Sequence, residues 1–142
     1  MNILVINSGS SSLKFQIIET DQNNIDSSTD KIKVKGLIDR IGTQALAKIT
    51  VPNGVEIKES IAIRDHSAAL DYIFRKITSG TLNIDGIFSL SDINAVGHRV
   101  VHGGEKFSKS VLVDKSVLKE IEDCIDLAPL HNPANLKGIQ AT

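Results

Sequence analysis

The chain has 142 residues with sixteen Lys and Arg against seventeen Asp and Glu, so it carries no strong field to gather nucleic acid or to hold it on an anionic membrane. With 41% hydrophobic residues it can enclose the core of one compact domain, and small molecules are the expected partners. Its single cysteine, Cys124, excludes an internal disulfide and a thiolate metal cluster, and the first apolar run, Ile3 to Ile6, is too short for a signal segment or a membrane span; both features point to a cytoplasmic protein.

Ile3-Leu4-Val5-Ile6 suits a central strand buried on both faces, and Asn7-Ser8-Gly9-Ser10-Ser11-Ser12 follows as a tight polar turn. Leu13, Phe15 and Ile17 then alternate with Lys14 and Gln16, which predicts a returning strand and a hairpin. A polar connection from Asp21 to Asp30 leads to a third strand around Ile32 and Val34. A further hairpin is expected about Pro52-Asn53-Gly54, between Ala47, Ile49 and Val51 on one side and Val55 and Ile57 on the other.

The period changes between Asp65 and Gly80, where Ala69, Tyr72, Ile73, Lys76 and Ile77 recur at helical spacing behind a cap at Asp65 or Ser67. Ile93 to Val101 returns to strand character. Val117, Leu118, Ile121, Cys124 and Ile125 predict an amphipathic helix capped by Asp114, and a last helix is expected to open with Asn132 as cap and Pro133 in its first turn. Strands followed by alternating helix and strand predict an α/β fold, a mixed sheet with flanking helices. The last residues, Gly138 to Thr142, stop partway along the apparent final helix, so the chain reads as part of a longer one.

Three segments carry the candidate chemistry. The Asn7–Ser12 turn offers backbone N–H groups and hydroxyls from small residues, Lys14 stands beside it on the face opposite Leu13 and Phe15, and Asn7 can offer a carbonyl oxygen to Mg²⁺. No Gly-Lys-Ser/Thr closes the turn and a strand follows it, so this is not a Walker A loop. The plainer reading is a serine-rich turn beside a solvated lysine.

In Val96-Gly97-His98-Arg99-Val100-Val101-His102-Gly103-Gly104, alternation sets Arg99 and Val101 on one face, a guanidinium fork for an anion beside an apolar wall for a short alkyl tail. His98 and His102 are four strand steps apart, about 13 Å, too far to share a metal ion, and read as hydrogen-bonded structural residues. His131 precedes the last helix, where free N–H groups and the helix dipole favour a phosphate; it can donate to a phosphoryl oxygen or merely fix the entry of the chain.

Together, Asn7-Ser8-Gly9-Ser10-Ser11-Ser12-Leu13-Lys14-Phe15, Gly97 to Gly104 and Leu127-Ala128-Pro129-Leu130-His131-Asn132-Pro133-Ala134-Asn135 resemble the acetate and propionate kinase family. The resemblance spans Met1 to Thr142 and matches the opening part of a longer two-domain chain. It implies an actin-like (ribonuclease H-like) N-terminal domain over residues 1–142, with the C-terminal domain absent. It further implies ATP and acetate as substrates, acetyl phosphate and ADP as products, a Mg²⁺ cofactor and a homodimeric full-length protein.

By the same resemblance Asn7 contacts the Mg²⁺, and Lys14, Ser10 and Ser12 belong to the ATP phosphate site. Arg99 binds the acid and orients the phosphoryl group, Val101 and Leu130 line the pocket for the alkyl tail, and His131 lies by the phosphoryl path. The family's remaining catalytic groups lie beyond the matched region, which implies that this chain alone is inactive. The alternatives left open are a propionate kinase and a non-catalytic actin-like domain contributing half of a nucleotide cleft.

Overall fold

A computed structural model describes residues 1–142. The aliphatic run is the centre of strand β1 (Asn2–Ser8), which returns as β2 (Ser12–Glu19) in an antiparallel register from Asn2 opposite Glu19 to Ser8 opposite Leu13. Alternation in β2 follows the sequence: Leu13, Phe15 and Ile17 are buried on one face, with Leu4 and Ile6 of β1, while Asn7, Lys14 and Gln16 turn to the other. Strand β1, expected to be buried on both faces, is buried on that one only, Ile3 and Val5 being half-buried on the open face.

The polar connection after β2 differs from expectation. It contains a short helix, α1 (Gln22–Ser27), capped by the Asp21 carboxylate accepting from the Asn24 N–H at 2.9 Å. This helix buries nothing, so no apolar period announces it.

Strands β3 (Lys31–Asp39), β4 (Gln44–Thr50) and β5 (Glu56–Ala62) extend the sheet by antiparallel pairing, and the β4–β5 connection turns at Gly54, φ +90°. Gly36 of β3 is required by packing, because the Phe15 ring across the strand pair occupies the space that a Cβ would fill. Strand β6 (Ala95–His98) joins β1 in parallel, giving the order β5-β4-β3-β2-β1-β6.

Helices α2 (His66–Thr78), α3 (Lys115–Asp123) and α4 (Asn132–Gln140) complete the fold, with Asp65 and Asp114 capping α2 and α3 as expected. Ala69, Leu70, Ile73 and Ile77 of α2 share one core of twenty buried residues with the inner face of the sheet. Val117 and Ile121 of α3 pack on Leu136 of α4 in a separate small cluster. No helix is long and apolar enough to cross a membrane.

Two expectations are corrected. The strand predicted over Ile93 to Val101 is confined to Ala95–His98, because the Val101 and His102 N–H groups turn away to the side-chain oxygens of Asn135 and Asn132. Strand alternation therefore reaches Arg99, whose N–H still bonds Ile6 O at 3.0 Å, but does not govern Val101. The cap of α4 is His131; Asn132 lies inside the first turn, fully buried, with its amide on His102 instead of the helix end.

Candidate functional site

The β1–β2 turn is held by its carbonyl groups. Ser12 O accepts from Gly9 N at 2.8 Å and Ser11 O from Ile41 N at 2.8 Å, while Gly9 O lies 2.7 Å from His66 Nε2, at the start of α2. A carbonyl can only accept, so His66 carries its proton on Nε2. The peptide plane sets C=O and N–H in opposite directions, so tying Gly9 O toward α2 aims the Ser10 N–H away from it. The N–H groups of Ser10 and Ser11 make no backbone hydrogen bond, and two free donors in a turn of small residues form a cradle for an oxyanion.

Two cavities flank this turn. One, about 440 Å³, lies on the sheet face away from the helices and is lined by Asn7 and Lys14 together with Lys35 and Lys48. The other, about 380 Å³, lies between the turn and the helices, and there Ser10 meets Leu130, Pro133 and Ala134 at the start of α4. The hairpin and the His131 segment thus converge at the N-terminal end of α4, where the helix dipole is positive.

Arg99 enters through the sheet. Asn7 is paired with Lys14, and the parallel register of β1 with β6, in which Ile6 faces His98, continues to Arg99 beside Asn7. Lys14 and Asn7 are cross-strand partners and Arg99 follows directly on the end of β6, its N–H on Ile6 O, so the three lie close together at one end of the sheet, within about 10 Å by strand spacing. Neither Lys14 nor Arg99 belongs to an ion pair, although Lys33, Lys58, Lys76, Lys106 and Lys119 all do. The Asn7 amide is likewise unbonded, whereas the amides of Asn2, Asn132 and Asn135 are engaged.

What joins these parts is a residue whose role the sequence did not reveal. Asn135, buried in α4, donates from Nδ2 to Ser8 O at 2.7 Å and accepts at Oδ1 from Val101 N at 3.0 Å. One amide thereby fixes the end of β1 to the segment that follows Arg99. Asn132 does the same one turn earlier, clasping the N–H and C=O of His102. The available signal was the spacing: two asparagines three residues apart lie on one helix face. Close approach of α4 to β1 also requires Gly138, since a Cβ there would run into the Ser8 hydroxyl.

The expected acid pocket is not closed. Val101 and Leu130 are 41% and 75% exposed, and Val101 does not line the cavity that contains Leu130. His131 is exposed at the head of α4, and Ser12 begins β2. His98 turns toward the helices, its Nε2 2.9 Å from Thr142 Oγ1, and burial pushes its pKa below the usual imidazole value. His102 accepts from the Gly104 N–H at Nδ1, the structural role expected of it.

A Mg²⁺ ion fits the donor set in a limited way. The unbonded Asn7 carboxamide is a hard oxygen donor, and no group of three or more His, Cys, Asp or Glu side chains is placed to hold a metal. An ion kept mainly by water and substrate oxygens is compatible with one such protein ligand.

Comparison with known proteins agrees with these features. The family model described as the Acetokinase family matches residues 2–142. Acetate kinases of Chloroherpeton thalassium and Solibacter usitatus are each 51% identical over 99% of this chain, which spans 35% and 34% of their lengths. The crystal structure of Porphyromonas gingivalis acetate kinase superposes with a TM-score of 0.85 at 38% identity, covering 99% of this chain and 33% of that one. A propionate kinase from Francisella tularensis gives 0.80 at 35% identity over the same shares. The chain spans about a third of the length of these relatives. Their fold is its fold, the mixed-sheet α/β domain expected from the resemblance, and with the family match running from residue 2 to residue 142 the chain belongs to the acetokinase family.

Proposed function

We propose that this chain supplies the phosphate-handling part of an acetate kinase active site, in which the γ-phosphoryl group of ATP passes to a carboxylate oxygen of acetate. The observation that carries this reading is the turn whose Ser8, Gly9, Ser11 and Ser12 carbonyls are occupied while the Ser10 and Ser11 N–H groups are free, beside unpaired Lys14 and Arg99. A carboxylate is already ionised at neutral pH, so the obstacle is the approach of two anions and not deprotonation.

In this reading the turn N–H groups and Lys14 hold the phosphate chain, with Ser10 and Ser12 beside it. Arg99 pairs with the acid and offsets charge on the equatorial oxygens, and His131 donates to a phosphoryl oxygen. Val101 and Leu130 face the alkyl tail. Asn7 would hold Mg²⁺, which supplies charge neutralisation on the phosphates when bound. The rest of the machinery belongs to the two thirds of the relatives' length outside this chain; by itself the chain is inactive, and the complete protein is a cytoplasmic homodimer. The likeness to a propionate kinase supports a second acid, propionate.

The test is a chimera in which this chain replaces the matching third of the Chloroherpeton enzyme, assayed by hydroxamate trapping of the acyl phosphate. The chimera is expected to be active, and Arg99→Ala to lower kcat/KM for acetate at least ~100-fold. Near-normal turnover of the variant would remove Arg99 from the mechanism; an inactive, folded chimera would remove the chain from it.

A further inference from the structure

The open-face cavity holds more positive charge than the proposed reaction uses. Cross-strand pairing sets Lys48 of β4 beside Leu37 of β3 and Leu37 beside Lys14 of β2, while Lys35 lies between Gln16 and Thr50 in the next row but one. Paired residues share a face, so the three lysines stand around one depression of about 440 Å³. Lys14 and Lys48 are two strand spacings apart, about 10 Å. Asn7, Gln16 and Thr50 add amide and hydroxyl groups at its margin.

The charge there is poorly compensated. Neither Lys14 nor Lys35 has a carboxylate within ion-pairing distance, and Lys48 reaches only Glu56, at 3.2 Å. Glu56 is itself shared with Lys58 at 2.6 Å and takes a hydrogen bond from the Thr50 hydroxyl at 3.2 Å. This contrasts with Lys33, on the same strand as Lys35, which is met by Glu19 and Asp85 and by the Asp85 carbonyl. Two unpaired ammonium groups and one half-compensated, at the rim of one concavity, attract an anion with several charges in a line.

We infer that this cavity is a site for a linear triphosphate chain, laid across β2, β3 and β4 on Lys14, Lys35 and Lys48, and indifferent to whether a nucleoside is attached. The inference touches the proposed function only through Lys14 and Asn7; Lys35 and Lys48 take no part in that reading. The polar contacts are to phosphate oxygens: Val5, Leu37 and Phe15 form an apolar floor, and Phe15 is only 4% exposed, so no aromatic face is open to stack a base.

Titration calorimetry of the intact chain at low ionic strength tests it, with sodium tripolyphosphate in one arm and ATP without metal in the other. Tripolyphosphate is expected to bind at one per chain. Lys35→Ala is expected to weaken binding at least fivefold and Lys35→Ala with Lys48→Ala to abolish it; all these side chains are on the surface, so the fold is retained. Glu56→Gln, which releases Lys48, is expected to tighten binding severalfold. Equal binding of ATP and tripolyphosphate supports recognition of the chain of phosphates. Binding of ATP with none of tripolyphosphate, or tripolyphosphate binding unchanged by the double substitution, overturns the inference and leaves the nucleotide reading of the turn intact.

Discussion

The two halves of the candidate site are built differently. The hairpin carrying Asn7, Ser10 and Lys14 stands on a continuous backbone ladder, and its inner face belongs to a core of twenty buried residues. The segment from Arg99 to His131 has almost no ladder: from Val100 to Val113 it makes one backbone-to-backbone bond, from Phe107 N to Gly103 O. Its attachment is the pair of asparagine amides of α4 and a cluster of three buried residues. The hairpin half is thus fixed by many weak interactions, and the half from Arg99 to His131 by a few specific ones. Loss of a hydrophobic contact should be felt by the whole domain in the first case, and loss of one amide should free a local segment in the second.

The largest effect should come from the hairpin. Leu13 is fully buried in the main core, and Leu13→Ala should cost about 2–5 kcal/mol through lost transfer energy and a residual cavity. That is a substantial part of the total stability of a domain this size. Urea unfolding should shift as one transition, with hydrogen exchange accelerated equally in β1, β2, β3 and α2. If only the hairpin amides accelerated, the first half would not be the cooperative unit described.

A smaller and more local effect is expected at Asn132. Its side chain bonds His102 N at 3.2 Å and His102 O at 2.9 Å, so Asn132→Ala leaves both backbone groups without partners at about 1–3 kcal/mol. Exchange of the amides between Val101 and Phe107 should speed up at least tenfold while those of β1 to β3 stay slow. Uniform acceleration across the sheet would show that the two halves are one unit after all.

The same division explains what the sequence disclosed. Leu13, Phe15 and Ile17 announce their strand because burial on one face imposes a period of two, and the register of Asn7 with Lys14 follows from a short turn. Asp65 and Asp114 announce their helices because capping acts within three residues. The end of β6 at His98 had no such local cause. It depends on amides thirty or more residues away in sequence, and Asn132, which looks like a cap, spends its side chain on His102. Helix α1 was missed for the opposite reason, since it touches no core at all. The meeting of Ser10 with Leu130 is likewise a tertiary fact, visible only once α4 is docked on β1.

The smallest effect concerns the seam between the halves, where His98 ends β6 against α4. Burial holds its imidazole below its ordinary pKa of 6.5, so the folded chain resists taking the proton that the unfolded chain accepts. Above that value the ring is neutral in both states and contributes nothing to the pH dependence. As pH falls through 6.5 the unfolded state gains a proton and the folded state does not, and stability is lost until pH drops below the depressed folded value. Glu56, held at about 2 by Lys58 and Lys48, would be protonated in the unfolded chain only around the ordinary 4.5, so it adds little slope between pH 7.5 and 5.5. The melting temperature should therefore be lower at pH 5.5 than at pH 7.5, by about 1–3 °C once the exposed side of the ring is discounted. His98→Gln, which keeps a donor toward Thr142, should flatten that difference. A slope unchanged by the substitution would mean that the seam does not sense protons, and that the segment from Arg99 to His131 is tied to the sheet by the α4 asparagines alone.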